Sequence, residues 1–414
     1  MPYRLLKYAL PRPYSEPRMF RSHDKPKSEY DVVIIGGGGH GLAAAYYLAK
    51  EHRVTNVAVL EKGYIGSGGT GRNTAIIRSN YLTEEGVRFY QESVELFQGL
   101  SQELGFNIFY TQRGHFTLAH SPASLRIQRW RAEVNHNMGV ESEVVGPSFI
   151  QKEVPELDLT CGGHQSPVYG ALYHPPGAIA RHDAVAWGYA RGADERGVEI
   201  HQQTAVTDIE VSDGAVIGVH TDRGFIKTRK VLSAVAGWTP SITRMIALNT
   251  PLVIHPLQAF VTEPLKPWLN HIIVSASLHV YVSQSTRGEL VTGASLDPYE
   301  LISMRSTLEF AETLSGHLLD LFPGISSVNV LRQWAGLCDM TPDFSPIMGT
   351  TPVTGFFLDA GWGTWGFKAT PISGKTMAET VVKGCNHPLI EPFKLDRFRD
   401  FRLVGEKGAA SVGH

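Results

Sequence analysis

Cysteine is scarce in this chain, and its spacing excludes the frameworks that cysteine usually builds. The 414 residues contain three cysteines, Cys161, Cys338 and Cys385, which lie far apart and form no CxxC pair. An odd number with this spacing argues against a disulfide framework and against structural zinc, and it is typical of a reducing compartment. We therefore predict a cytoplasmic protein with no metal site.

Long apolar runs and a surplus of charge of one sign are also missing. No run approaches the roughly 18 to 20 apolar residues that a membrane span requires, so we expect no membrane partner. The chain has 38 Lys and Arg against 40 Asp and Glu, a formal net charge of -2. This balance gives no reason to expect binding to nucleic acid. A chain of 414 residues is too long to fold around one simple hydrophobic core, and its length predicts two intertwined or consecutive domains.

The two ends of the chain differ from the rest in composition. Residues 1–29 contain five prolines and seven Lys or Arg without a continuous apolar stretch, which excludes a secretory signal. We interpret this segment as an extended arm that lies on another surface, such as a partner subunit, and a disordered tail is the alternative. Residues 401–414 are predicted to form a loose C-terminal tail.

The segment YDVVIIGGGGHGLAAAYYLAKEHRVTNVAVLEK, from Tyr30 to Lys62, carries the strongest motif. A short apolar strand is followed by Gly36, Gly38 and Gly41 in the G-x-G-x-x-G pattern, by a helix, and by a second strand that ends in Glu61. The first glycine makes the tight turn, the second lets the backbone approach a pyrophosphate, and the third lets the helix pack close to the strand. The strand, glycines, helix and acid in this order predict a dinucleotide site.

Three further segments indicate a flavin rather than a nicotinamide. A second loop of small residues, GSGGTGRNTAIIR (66–78), follows the acidic strand. The segment AVAGW (234–238) follows a predicted strand, and GWGTWGFK (361–368) lies between a strand and a helix. Amides of this last loop could hold the pyrimidine edge of the flavin, and the helix N-terminus would stabilise negative charge on the reduced ring.

Together these motifs resemble the D-amino-acid-oxidase-like family of FAD-dependent amine oxidoreductases, over nearly all of residues 30 to 400. The resemblance implies an α/β fold with a discontinuous Rossmann-type FAD-binding domain, which we place at 30–109, 172–247 and 338–400. Residues 110–171 and 248–337 would form an α+β substrate domain built on a mainly antiparallel sheet. Alternating strands around the Ser212-Asp213-Gly214 turn support this organisation independently.

The motifs and the resemblance define the expected cofactor site. Val206 lies where relatives contact the adenine end of FAD. The residues that we expect to contact FAD are Gly36, Gly38, Gly41, Glu61, Lys62, Ser67, Gly68, Thr70, Val206, Ala236, Gly237, Gly361, Gly363, Thr364, Gly366 and Lys368.

Within the family, the chain resembles the heterotetrameric sarcosine oxidases, and this resemblance implies a subunit that works with α, γ and δ partners. Sarcosine, N-methylglycine, would be oxidised at FAD, and NAD and tetrahydrofolate would bind the α subunit. The products would be glycine and hydrogen peroxide, together with formaldehyde or 5,10-methylenetetrahydrofolate. A dehydrogenase acting on dimethylglycine or proline with another electron acceptor is one alternative. A flavin-carrying electron-transfer subunit without catalysis of its own is another.

Oxidation of an N-methyl amino acid requires an anchor for the substrate carboxylate. In relatives, an arginine in the IIR segment and the lysine of GFK form this anchor, and Arg78 and Lys368 match them. Arginine offers a bidentate fork and lysine a point charge. Arg72 is a candidate to lie over the flavin, in the role of an arginine that relatives carry at the place of Ala75. His255, in an apolar segment, is interpreted as a neutral pocket histidine, with a core histidine as the alternative.

Two departures from the family pattern bear on the flavin chemistry. Monomeric relatives tether FAD through a cysteine at the place of Gly336, and Cys338 lies two residues along. We therefore expect FAD to be bound without a covalent bond. Relatives that react directly with oxygen carry a lysine at the place of Val291, so oxygen is not expected to be reduced at the FAD.

His174 lies in the sequence Tyr173-His174-Pro175-Pro176-Gly177, which has two interpretations. From the residue types alone it is a turn, with prolines that restrict the backbone and a solvated histidine. The resemblance implies instead that a histidine in this context carries FMN through a covalent bond to the flavin methyl. The FMN would accept electrons from FAD and pass them to oxygen.

Overall fold

The computed structural model describes residues 19–163 and 167–405. Residues 1–18 of the predicted arm and residues 406–414 of the predicted tail therefore lie outside the described residues. The described part contains these α-helices: α1 Gly39–His52, α2 Glu84–Glu103, α3 Pro122–Asn137, α4 Pro147–Glu153, α5 His182–Asp194, α6 Thr239–Met245, α7 Leu308–Leu321 and α8 Gly366–Lys383. None of them is both long enough and apolar enough to span a bilayer.

The strands of the described residues form four sheets. They are β1 Val32–Ile35, β2 Val57–Leu60, β3 Ile76–Ile77, β4 Thr111–Gln112, β5 His115–Ala119, β6 Glu143–Val145, β7 Gly170–His174, β8 Ala178–Ile179, β9 Glu199–His201, β10 Val206–Ser212, β11 Ala215–Thr221, β12 Gly224–Lys227, β13 Val231–Ser233, β14 Val253–Pro264, β15 Ile272–Ser275, β16 Val280–Gln284, β17 Glu289–Leu296, β18 Val330–Met340, β19 Ile347–Thr350 and β20 Phe356–Ala360.

A six-stranded sheet in the order β19-β20-β13-β1-β2-β9 forms the Rossmann-type half of the protein. All of its neighbouring pairs are parallel except β19 with β20. The strands VVII and VAVL are buried along their whole length, as expected for a parallel sheet that is covered on both faces. The prediction of a Rossmann-type fold is thereby confirmed.

Small residues bring α1 and α8 close together on one face of this sheet. A Cβ atom added to Gly374 of α8 would lie 2.4 Å from Cβ of Ala43 in α1, so the glycine is needed for the approach. Gly39, at the start of α1, similarly faces Thr370 of α8, where an added Cβ would lie 3.1 Å from the threonine side chain. The two helices therefore run side by side with their N-termini at the same end.

An eight-stranded sheet in the order β18-β14-β17-β16-β15-β5-β7-β6 forms the other half. Its pairs are antiparallel except β5 with β15, which confirms the prediction of a mainly antiparallel sheet. A separate apolar core that includes Phe116, Phe260 and Leu314 lies between this sheet and α7. Two three-stranded sheets, β10-β11-β12 and β3-β8-β4, complete the architecture.

The two large sheets draw on alternating parts of the chain. Strands of the six-stranded sheet lie within residues 32–60, 199–233 and 347–360, and those of the eight-stranded sheet within 115–174 and 253–340. Two strands cross the predicted boundaries, since β7 extends to 174 and β18 extends to 340. The exact residues at which one domain ends and the other begins stay predictions.

The described segments near both ends of the chain pack on the chain itself. In the predicted arm, Arg21 forms an ion pair with Asp194 at 3.0 Å and Lys27 forms one with Glu199 at 2.7 Å. Near the C-terminus, the guanidinium of Arg397 binds both carboxylate oxygens of Asp343, and both side chains are 1% exposed. A buried pair of this kind is strongly destabilising to break, so it anchors the last described turn.

Candidate active site

A cavity of about 470 Å³ lies at the carboxyl ends of the parallel strands, and we call it the central cavity. Residues after β1, β2, β13 and β20 line one side, and the eight-stranded sheet contributes Leu257, Ala259 and Tyr281 on the other. In open α/β sheets, ligands bind at this edge. The central cavity is therefore the candidate active site.

The turn after β1 has the geometry that the glycine pattern predicts. Gly36 has φ of 110°, and a Cβ atom there would lie 2.4 Å from the Ala234 carbonyl oxygen. A Cβ on Gly41 would lie 2.1 Å from the Gly36 carbonyl oxygen, so the helix can begin close to the strand only with glycine at this position. Gly38 precedes α1 without a side-chain cap. Its amide and those of the first helical turn are suited to an anion such as a pyrophosphate.

The carboxylate at the end of β2 is positioned by backbone amides. Glu61 accepts hydrogen bonds from Gly37 N–H at 2.9 Å and from Gly63 N–H at 2.8 Å. A carboxylate has about four acceptor sites, so Glu61 retains capacity for ribose hydroxyls. The ammonium of Lys62 lies 3.2 Å from the ring centroid of Trp238, and burial lowers the pKa of Lys62 below its usual value although Glu61 acts in the opposite direction.

A second helix also directs its N-terminus into the central cavity. Helix α8 begins at Gly366 without a side-chain cap, directly after the glycine-rich loop 361–365. Gly361 and Gly363 have φ of 73° and 50°, which is the left-handed region that glycine adopts without strain. The N-termini of α1 and α8 thus both contribute partial positive charge to one cavity.

Three basic side chains are buried together on the side of the central cavity that faces the eight-stranded sheet. Arg78 is 4% exposed, Lys368 is 7% exposed and His115 is 1% exposed. The Arg78 guanidinium donates to Asn80 Oδ1 at 2.9 Å and lies over the ring of Tyr81. Burial and the Arg78 charge hold the pKa of Lys368 well below its usual value, and the same two causes lower the pKa of His115.

This cluster favours an anionic ligand for a simple electrostatic reason. A buried lysine with a lowered pKa regains its charge when a carboxylate approaches, because opposite charge favours the ionised form. Lys368 Nζ forms only a long hydrogen bond, 3.4 Å, to the Thr364 carbonyl among the described residues. Its ammonium therefore has donors available for a ligand in the cavity.

The segment 336–339 of β18 lines the central cavity beside Arg72. A Cβ atom on Gly336 would lie 3.3 Å from Cβ of Arg72, and the Arg72 guanidinium donates to the Gly68 carbonyl at 3.2 Å. Cys338 is buried, and burial raises the pKa of its thiol. Burial also raises the pKa of Asp339 to about 6, although backbone N–H groups including that of Gly361 lower it.

A larger cavity of about 960 Å³, the side cavity, lies on the other face of the loop that carries Arg72. Arg72 and Ala75 line both cavities. Val291, at the place where oxygen-reactive relatives carry lysine, lines the side cavity. Ala75 adopts φ of 60°, so the loop turns sharply between Arg72 and Arg78.

Most residues that the sequence singled out line the central cavity, and a few lie behind it. Those that line it are Gly36, Gly38, Glu61, Lys62, Ser67, Gly68, Thr70, Arg72, Arg78, Val206, Ala236, Gly363, Thr364, Gly366 and Lys368. Gly41, Gly237 and Gly361 lie in the surrounding shell, where an added Cβ would meet Gly36, Leu337 and Thr341 respectively.

His255 and His174 lie apart from the cavity lining. His255 is in β14, half-buried, and one ring nitrogen lies 2.9 Å from the Asp297 carbonyl oxygen. His174 is the last residue of β7 and is 0% exposed, so it is not a solvated turn residue. Its Nε2 accepts from Ser79 N–H at 3.3 Å and its Nδ1 lies 2.7 Å from the Glu141 carbonyl oxygen. Burial lowers the pKa of His174 to about 3, so the ring is neutral.

Three residues near the central cavity were not singled out from the sequence. His115 pairs with His174 across β5 and β7, and His40 and Asp359 line the cavity where α1 and β20 meet. A histidine within the glycine motif and an aspartate at the end of an apolar strand are unusual residue types at those places. These two features could have indicated His40 and Asp359, whereas His115 depends on strand pairing.

The chain matches the sequence model of the family described as FAD dependent oxidoreductase over residues 31–380, and it belongs to that family. The protein is therefore an oxidoreductase, and FAD is its expected cofactor. The central cavity fits FAD, because it combines a glycine turn that no side chain could replace, two uncapped helix N-termini and a carboxylate at the ribose position.

The chain is similar along its whole length to named proteins of this family. It is 44% identical over 390 residues to sarcosine oxidase subunit beta of Rhodobacter capsulatus, covering 94% of each chain. It is 42% identical over 398 residues to sarcosine oxidase subunit beta of Arthrobacter sp, covering 96% of this chain and 98% of the other. The solved structure of L-proline dehydrogenase from P. horikoshii superimposes with a TM-score of 0.85 at 28% identity, covering 91% of this chain and 100% of that one.

The first prediction concerns the glycine turn. Replacing Gly36 by alanine is expected to weaken FAD binding roughly tenfold or more, because a strained backbone costs about 1–3 kcal/mol and the Ala234 carbonyl leaves no room for Cβ. Flavin fluorescence during titration of the FAD-free protein measures the affinity. Gly99→Ala in α2 is the control, since nothing lies within 4 Å of its added Cβ. Equal affinities for the two variants would contradict the prediction.

Proposed function

We propose that this protein oxidises sarcosine at noncovalently bound FAD in the cytoplasm, as the flavin-binding subunit of a complex with α, γ and δ partners. The observation that carries the proposal is the pair of buried cations, Arg78 and Lys368, beside the loop that leads into α8. A protein that only carried electrons would not need a carboxylate anchor in its FAD cavity. The similarity to sarcosine oxidase subunit beta chains supports the choice of an N-methyl amino acid.

The residues of the chain bind and orient the substrate in this proposal. Arg78 and Lys368 hold the carboxylate, which directs the N-methyl group toward the flavin position. Their positive charges also favour the uncharged form of the substrate amine, because like charge nearby lowers an amine pKa. Trp362, Trp365 and Tyr281 line the cavity with apolar surface and limit the access of water. When bound, FAD supplies the acceptor for the hydride of the substrate carbon.

The product of the chemical step is the imine of glycine and formaldehyde. Hydrolysis gives glycine and formaldehyde, or the one-carbon unit passes to tetrahydrofolate on the α subunit, where NAD is also expected to bind. Oxygen is the proposed final electron acceptor, and it yields hydrogen peroxide. Noncovalent binding of FAD is consistent with Gly336 at the tether position and with the buried, protonated thiol of Cys338.

The proposal further includes a covalent FMN on His174, which would accept electrons from FAD and pass them to oxygen. The neutral ring suits a bond to carbon, but both nitrogens already have hydrogen-bond partners on the backbone. A bond at either nitrogen would replace one of these contacts. Glu141 is exposed, so the segment that covers Nδ1 lies at the surface. Displacing this segment would disturb the fold less than displacing Ser79, which contacts Nε2.

The second prediction tests the reaction. Sarcosine added without oxygen to the protein, prepared with its partner subunits, is expected to bleach the flavin absorbance within the time of mixing. Proline and dimethylglycine are the comparison substrates. The double variant Arg78→Met and Lys368→Met, which removes the carboxylate anchor, is expected to bleach at least about a hundredfold more slowly, because two charged contacts are lost. Absence of bleaching by any amino acid would favour the electron-carrier alternative.

The third prediction concerns the pH dependence of carboxylate binding. Acetate is expected to bind most tightly at low pH, and its affinity should fall as pH rises through the lowered pKa of Lys368, because binding then requires uptake of a proton. Spectral titration of the bound flavin measures the affinity at each pH. Lys368→Met should remove this dependence, whereas Lys375→Met, on the same helix but half-exposed, should retain it. A dependence that persists in Lys368→Met would disprove the assignment.

The fourth prediction concerns His174. After acid denaturation of the assembled protein, yellow colour is expected to remain with the polypeptide and to map to the peptide that contains His174. The variant His174→Asn should release all its flavin on the same treatment. Release of all flavin as FAD from the unmodified protein would show that this is a single-flavin oxidoreductase, and His174 would then be a buried structural residue.

A further inference from the structure

His40 connects the starts of α1 and α8, which lie side by side at the edge of the sheet where the flavin is expected. It is the second residue of α1 and lies within the glycine pattern, between Gly38 and Gly41. Its Nδ1 lies 3.1 Å from a carboxylate oxygen of Asp359, at the end of β20. Its Nε2 lies 2.7 Å from the carbonyl oxygen of Gly366, the first residue of α8.

The partners of the two ring nitrogens determine the protonation state of His40. A carboxylate and a peptide carbonyl can only accept hydrogen bonds, so both nitrogens must donate. Only the imidazolium form carries a proton on each nitrogen. Burial acts against this charge, but the Asp359 carboxylate and the Gly366 carbonyl outweigh it and raise the pKa of His40 above its usual value.

Asp359 extends the connection into the loop that precedes α8. Besides His40, its carboxylate accepts hydrogen bonds from the Trp362 indole N–H and from the Ser373 hydroxyl, and the residue is 1% exposed. The Trp362 ring packs edge-on against the His40 ring with centroids 4.6 Å apart. The loop between Trp362 and α8 contains Gly363 and Thr364, which line the central cavity.

We propose that doubly protonated His40 is a positioning residue. It holds the glycine turn after β1 and the loop 361–365 before α8 in their relative places, and it thereby makes FAD affinity depend on its proton. A neutral His40 could donate to only one of its two acceptors. Either Asp359 or the Gly366 carbonyl would then lose a hydrogen bond, and the loop would no longer be held to α1. Residues of both segments line the central cavity, so FAD bound there would contact both, and its affinity would report their alignment.

The pH range of the effect follows from the direction of the pKa change. Because the pKa of His40 in the folded protein is raised, its contribution is fully present at and below its usual pKa and is lost as pH rises through the raised value. The carboxylates that act on His40 are Asp359 on β20 and Asp339 on β18. The pKa of Asp339 is raised to about 6, so its titration lies on the acidic side of that of His40.

The test is a titration of the FAD-free, full-length protein with FAD between pH 5.5 and 9.5, followed by flavin fluorescence. The unmodified protein is expected to bind FAD with constant affinity below the raised pKa of His40 and to lose roughly tenfold or more above it, since a hydrogen bond to a charged group is lost. His40→Gln, which keeps a donor but no charge, should bind weakly at neutral pH and show no loss on the alkaline side.

Three further variants separate this role from a general effect on folding. Asp359→Asn should shift the loss of affinity to lower pH, because the charge that raises the pKa of His40 is removed. Asp339→Asn should shift the alkaline loss by less, because the Asp339 charge contributes less to the raised pKa of His40 than the Asp359 charge does. His220→Gln is the matched control, because His220 pairs with Glu210 at 3.2 Å through a half-exposed side chain and does not line the central cavity. It should behave as the unmodified protein.

Two results would overturn the proposal. One is an affinity of the unmodified protein that does not change with pH on the alkaline side of neutrality. The other is an alkaline loss of the same size in His40→Gln. Thermal unfolding of each FAD-free variant is measured alongside, and if His40→Gln does not fold, the shift of the alkaline loss in Asp359→Asn decides the question.

Discussion

The close packing of α1 against α8 is the constraint on which the rest of the site depends. An interior glycine, Gly374, allows α8 to lie against Ala43 of α1, and two partial positive charges consequently meet at one end of the six-stranded sheet. The sheet edge, the glycine turn after β1 and the loop before α8 then form three walls of one cavity. The eight-stranded sheet supplies the fourth wall and encloses the substrate side.

Electrostatics divides this cavity into two regions. On the phosphate side, the helix N-termini provide positive potential without formal charge, and His40 contributes a formal charge that Asp359 balances. On the substrate side, Arg78 and Lys368 are buried within the same region as neutral His115. Burial of like charges is costly, and a carboxylate ligand reduces that cost. The residues that we propose to bind the substrate carboxylate are therefore expected to destabilise the site when no anion is bound.

Local patterns predicted those parts of the site in which a residue and its contacts are close in sequence. The glycine turn, Glu61 and the GWGTWGFK loop each lie beside a strand or helix whose period is visible in the sequence, whereas Lys368 was singled out by the family resemblance. The buried position of His174 was harder to predict from the sequence. The prolines on its C-terminal side suggested a solvated turn, whereas β5 and the Glu141 segment bury the ring. Strand pairing over long distances, which no local pattern encodes, also places His115 in the cavity.

The sequence by itself therefore determined the fold class and the kind of cofactor, because alternating polar and apolar residues, glycines and helix starts act over a few residues. The tertiary structure decided which charged groups meet. His40 and Asp359 are 319 residues apart, and Arg78 acts on Lys368 only because β3 and α8 converge on one cavity. Charges and protonation states depend on such distant neighbours and on burial, so they follow from the assembled fold and not from the residue types alone.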